Sequence, residues 1–190
     1  SYVQRIYLDL QKIGYKVKHW LLKGENMGVP QRRHRVFFIA LRDDVAFDLQ
    51  RLDMSFNYAP ITYGDIKEGE LRVLSEGSDY KRLTLASLPF EKSIADVNMR
   101  LHNKNSGFQS YFVDENSIIP TIRANPNIID RKAVAFISKE VIRNSQTFPQ
   151  DYDFGNDSCS ALGYICGMSV PPIMIKRIVT RLIESGIFKE

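Results

Sequence analysis

The chain has 190 residues, 26 Lys+Arg against 22 Asp+Glu for a formal charge of +4, and is 44% hydrophobic and 11% aromatic. That composition excludes a disordered or fibrous protein and suits one domain with a small partner domain. Two cysteines, Cys159 and Cys166, are too few for a disulfide framework, so a reducing compartment, the cytoplasm, is expected. Val3, Ile6, Tyr7 and Leu10 follow helical spacing, which predicts an amphipathic helix over 2–13 closed by Gly14. Tyr15 to Leu22 reads as a strand, Lys23 to Pro30 as a turn, and the apolar run Val36 to Leu41 as a strand buried on both faces.

Residues 56–130 alternate short apolar pieces with turn residues, predicting a small, loop-rich, largely irregular domain. Its expected strands are Ile61–Tyr63, Leu71–Leu74, Phe108–Val113 and Pro120–Ala124. A short helix is expected from Ser138 to Ser145, with Ser138 as N-cap. After a Gly-rich segment at 163–167, Pro171-Pro172 opens a helix with Met174, Ile175, Ile178, Val179, Leu182 and Ile183 as its apolar face. The uncharged stretch 158–175 is broken by Gly163, Gly167, Pro171 and Pro172, so no membrane span is expected. The organisation reads as 1–55, 56–130 and 131–190.

The charge is uneven. Residues 1–51 hold ten Lys/Arg against five Asp/Glu, whereas residues 52–120 hold seven against ten. The densest basic run is Gln31-Arg32-Arg33-His34-Arg35. Such a run attracts phosphates, although a solvated charged strand has the same composition.

Four segments carry a family resemblance. Gly28-Val29-Pro30-Gln31-Arg32-Arg33-His34-Arg35-Val36 resembles the GVPQxRxRV segment of DNA cytosine-5 methyltransferases. Pro120-Thr121-Ile122-Arg123-Ala124 is similar to a P-T-I/L-x-A/T stretch late in that family's target-recognition domain. Gln146-Thr147-Phe148-Pro149 and Gly167-Met168-Ser169-Val170-Pro171-Pro172 resemble its last two motifs, with Met168 where the family has Asn. The order and spacing match the family over nearly the whole chain. The family's Gly-rich cofactor turn, its P-C nucleophile loop and its E-N-V acid are absent from the sequence, and neither cysteine follows a proline.

The resemblance implies an α/β fold, mixed α+β over this stretch. It would be the C-terminal part of a Rossmann-like S-adenosylmethionine-dependent methyltransferase domain, together with a loop-rich target-recognition domain. It also implies an activity: methyl transfer to C5 of a cytosine flipped out of double-stranded DNA, after a thiolate adds at C6. Arg35 would be the fixed cation that stabilises charge near the cytosine O2. Gln31, Arg33, Thr121, Ile122 and Arg123 would face DNA, Arg33 at a phosphate. Gly167, Ser169 and Val170 would lie by the cofactor, where a helix start with free N–H groups suits a carboxylate.

The missing N-terminal half of the enzyme, in the same chain or a separate subunit, is an implied partner, and self-association through an exposed apolar edge is expected without it. The alternative is a non-catalytic DNA-binding or regulatory subunit of a split methyltransferase. His19, His34 and His102 lack metal-ligand spacing, so no metal is expected.

Overall fold

The computed structural model describes residues 2–106, 110–155 and 158–188. Helix α1 (Tyr2–Lys12) ends at Gly14, whose φ of +82° favours glycine. Strands β1 (Tyr15–Lys23) and β2 (His34–Arg42) form an antiparallel ribbon in the register Tyr15↔Arg42 to Lys23↔His34. The expectation that β2 is buried on both faces is corrected: none of its residues is fully buried and Val36 is half exposed. A two-stranded ribbon covers each face only where something else packs on it. Phe37, Ile39 and Leu41 lie on one core, while Phe38 meets Tyr7 of α1.

The middle of the chain is more ordered than its composition suggested. It holds α2 (Tyr63–Ile66), β3 (Arg72–Val73), α3 (Asp79–Leu85), α4 (Ile94–His102), β4 (Tyr111–Val113), β5 (Ile128–Asp130) and β6 (Ala135–Phe136). The four strands form one sheet in the order β3-β6-β5-β4, with β4 and β5 parallel. Ile61–Tyr63 is not a strand, because the Asp65 carboxylate accepts the Thr62 N–H at 2.7 Å and opens α2 instead. Pro120–Ala124 forms no strand either. The predicted strand at Phe108–Val113 begins at Tyr111, and its residues 108 and 109 lie outside the described residues.

Helix α5 (Lys139–Ser145) starts where Ser138 accepts the Val141 N–H at 3.1 Å. The Gly-rich segment is helical: α6 runs Cys159–Met168 and packs on α5. A Cβ at Gly163 would lie 2.7 Å from Pro126 Cδ, and one at Gly167 would overlap the Arg123 and Ala124 backbone. The glycines therefore allow α6 to approach the 123–126 segment. Helix α7 (Pro172–Glu184) follows Pro171.

Three apolar clusters hold these elements. One joins the β1–β2 ribbon to α7 through Leu22, Met27, Val29, Met174 and Ile178. A second unites α2, α5 and α6 with Ile119, Ile122 and Ile128, and a third sits beneath α3, α4 and β4–β5. On α7 the predicted apolar face is divided: Met174 and Ile178 are buried, whereas Ile175, Val179 and Ile183 are exposed.

Candidate nucleic-acid interface

The segment between β1 and β2 docks on residues 119–122. Gln31 pairs with Ile119 in an isolated parallel bridge, and the Arg32 N–H donates to the Ile119 carbonyl at 2.9 Å. Successive side chains then point to opposite sides. Gln31 and Arg33 go inward, 0% and 1% exposed, while Arg32 goes out to solvent.

Inside, the two side chains tie distant stretches together. Gln31 Nε2 donates to the Ser145 carbonyl at 2.8 Å and to Gln146 Oε1 at 2.6 Å, and Gln31 Oε1 accepts the Ile122 N–H at 3.0 Å. Gln146 Nε2 in turn donates to the Ser169 carbonyl and hydroxyl, both at 2.9 Å. Arg33 donates to the carbonyls of Ile122 at 2.8 Å, Gly167 at 2.9 Å and Ser169 at 2.5 Å. Burial, with the nearby charge of Arg35, lowers the Arg33 pKa to about 10, so it remains a cation at neutral pH. No carboxylate pairs with it among the described residues. Carbonyls at the negative C-terminal end of α6 compensate instead.

Three residues expected at the DNA surface thus point inward: the Arg33 guanidinium is bonded to carbonyls, both ends of the Gln31 amide are bonded within the protein, and Ile122 is fully buried in the core. The cause is the same for all three: their positions serve the contact between the segment and the α5–α6 layer.

Outside, a cleft of about 620 Å³ opens beside Arg32, Thr121 and Arg123, with Lys92, Tyr111 and Arg131 also on its walls. Thr121 Oγ1 donates to the Arg32 carbonyl, fixing one wall to the other. Arg123 lies over the Tyr111 ring, 5.6 Å from its centroid. Arg131 is committed to Asp114 at 3.1 Å and to the Leu88 and Glu91 carbonyls, and Glu91 is paired with Arg100 at 2.8 Å. Among the described residues, Arg32, Lys92 and Arg123 have no carboxylate partner. Their charge faces the cleft unneutralised, which is what a phosphate backbone requires. Arg32 and Lys92 were missed as site residues, since only the alternation at 31–33 distinguishes Arg32 from its neighbours. Arg35, at the start of β2 opposite Leu22, is half-buried and donates to the His34 carbonyl at 2.8 Å. It does not line the cleft.

The segment proposed for the cofactor is internally satisfied. The Gly167 carbonyl and both Ser169 oxygens accept the bonds given above. At the start of α7 the Ile173 N–H donates to Thr147 Oγ1 at 3.2 Å, the Met174 N–H to the Pro171 carbonyl at 2.9 Å, and Pro172 has no N–H. The Ile173 and Met174 N–H groups are therefore not free. Only the side chains of Met168 and Val170 remain exposed. The side chains of this segment offer S-adenosylmethionine an apolar contact and no charged partner for its carboxylate. Burial pushes the Cys166 thiol up to about 12 against the opposing charge of Arg33, which leaves it inert as a nucleophile. No cluster of potential metal ligands occurs among the described residues.

The fold is that of a methyltransferase. DNMT2 of Spodoptera frugiperda superposes with a TM-score of 0.65 at 14% identity over 96% of this chain and 62% of that one. A putative DNA modification methyltransferase encoded within prophage Cp of E. coli gives 0.61 at 20%, over 97% and 64%. The methyltransferase EhMeth of Entamoeba histolytica gives 0.57 at 13%, over 96% and 57%. The chain thus spans about three fifths of the length of these proteins. The family model for C-5 cytosine-specific DNA methylase matches residues 1–184, and the chain belongs to that family. No curated protein sequence matches it.

Proposed function

We propose that this chain supplies the DNA-recognition part of a DNA cytosine-5 methyltransferase, holding duplex DNA in the Arg32–Thr121–Arg123 cleft. The three unneutralised cations of that cleft carry the reading, two of them, Arg32 and Arg123, on segments that resemble the family's motifs. Residues 56–130, whose strands β3, β4 and β5 share a sheet with β6 just beyond them, act as the target-recognition domain. Arg35 stabilises charge on the flipped cytosine, a role that rests on the family resemblance and on its having no carboxylate partner among the described residues. The sequence has no Pro-Cys and its Cys166 is inert, so the thiolate and the methyl donor's charged contacts come from residues outside these 190. The exposed stripe Ile175, Val179 and Ile183 on α7 suits contact with that remainder, as part of the same chain or as a second subunit, and suits self-association in its absence. Two unpaired cysteines accord with a reducing compartment such as the cytoplasm.

The same lack of a nucleophile favours a second reading, a DNA-binding or regulatory subunit that never takes part in catalysis. One experiment tests both. Incubated with duplex DNA and labelled S-adenosylmethionine, the chain should bind DNA and transfer no methyl group by itself. Methyl transfer on adding a polypeptide that carries the P-C and E-N-V segments supports the first reading. DNA binding with no transfer in any such mixture supports the second, and failure to bind duplex DNA contradicts both.

A further inference from the structure

The basic surplus of residues 1–51 is not used up by the Arg32–Arg35 run. Away from the recognition cleft, a depression of about 600 Å³ lies between β1 and the 50–56 segment. A second, of about 310 Å³, lies between that segment and the outer side of α7, and Phe56 lines both. Lys18, Lys23 and Arg51 line the first, and Lys176, Arg177 and Arg181 the second. Two acids also lie there, Asp53 and Glu184. Both sit beside Arg181, at 3.6 and 3.9 Å. The other five cations have no carboxylate partner among the described residues.

Aromatic rings alternate with these charges. Lys18 lies over Trp20 at 5.0 Å, Arg181 over Phe56 at 5.0 Å, and Arg177 over Tyr58 at 3.2 Å. The Arg177 guanidinium is held flat between Tyr58 and the backbone at Gly28, where a Cβ would come within 2.9 Å of it, and its Nη1 has no hydrogen-bond partner. A row of cations that tracks a phosphate chain, with ring faces between them for bases, is the composition of a single-strand nucleic-acid site. An apolar helix does not call for that alternation.

We propose that this groove binds a single-stranded nucleic acid. Its phosphates rest on Lys23, Arg51 and Lys176, and its bases lie against Trp20 and the exposed part of Tyr58, which Arg177 holds in place. The proposal is independent of the role given to the recognition cleft.

Trp20 is the only tryptophan in the sequence, so its fluorescence reports on this groove alone. Titrating the 190-residue chain with a short oligothymidylate should quench it saturably, with salt reversing the effect. The double variant Arg51→Glu/Lys176→Glu changes two exposed side chains. It should weaken binding by about tenfold or more and lower the logarithmic salt slope by about 1.4, at 0.7 per single-strand phosphate. Arg51→Gln/Lys176→Gln should show the slope change with less risk to folding. Arg32→Glu/Arg123→Glu should weaken duplex binding and leave the oligothymidylate quench unchanged. The proposal is overturned by an absent quench, by unchanged affinity in both groove variants, or by equal quenching with polyglutamate, which would mark the groove as a site for an acidic protein.

Discussion

Arg32 and Arg33 are neighbours in one basic run, yet they belong to different parts of the molecule. Arg33 ends in a buried junction where every near partner is a carbonyl from a distant stretch, and Arg32 ends in an open cleft beside Arg123. The two have the same charge and chemistry and differ only in which side of the chain they leave. A basic motif is thus two devices interleaved: one set of side chains closes the protein, and the alternate set is left facing the open cleft. Charge density alone cannot separate them, because the partner set decides what a cation does.

Breaking the junction should have the largest effect on stability. Arg33→Met leaves the Ile122 and Gly167 carbonyls without their donor, while Ser169 keeps Gln146; at roughly 1–3 kcal/mol each when unsatisfied, a loss of about 2–5 kcal/mol is expected by urea unfolding. A loss under about 1 kcal/mol would show that Arg33 does not hold the junction together. Gly167→Ala strikes the same place without touching a charge. Its new Cβ meets the Arg123–Ala124 backbone, which cannot rotate away, and about 3 kcal/mol is expected.

A polar network around β5 offers a smaller contrast. Asp130 is buried in β5, where burial raises its pKa, but Lys67 at 2.8 Å, the Ala133 N–H and the Tyr63 hydroxyl outweigh that and hold it below the usual carboxylate range. A depressed folded-state pKa gives stability that is complete above the unfolded value of about 4 and lost as pH falls through the folded one. Asp130→Asn should therefore cost about 1–3 kcal/mol at neutral pH and little at low pH, flattening the acid limb of the stability curve. An unchanged acid limb would remove Asp130 from the account.

Much of the frame was legible in the sequence, and the misses have physical causes. The helix after Ser1, the β1–β2 ribbon, the Ser138 cap and α7 all follow from spacing and capping residues. Helix α6 was hidden by Gly163 and Gly167, which look like loop residues until the 123–126 segment is seen packed on them. Helices α3 and α4 are short and are announced only by the N-caps Ser78 and Ser93, too little signal against the surrounding turn residues. Strands β5 and β6 span three and two residues, below what alternation can show. At the site, the motif segments were recognisable as a set. Their inward and outward members were not, since that depends on the Gln31–Ile119 bridge formed between residues far apart in the chain.

The central claim is that Arg32, and not Arg33, meets the DNA backbone. The direct measurement is the salt dependence of duplex DNA binding by the chain and by Arg32→Ala. The account predicts a logarithmic slope smaller by about 0.9, the value of one duplex phosphate contact, with the unfolding midpoint unchanged because Arg32 is a solvent-facing side chain. An unaltered slope and affinity in Arg32→Ala would contradict it, and would return the phosphate contact to some other part of the basic run.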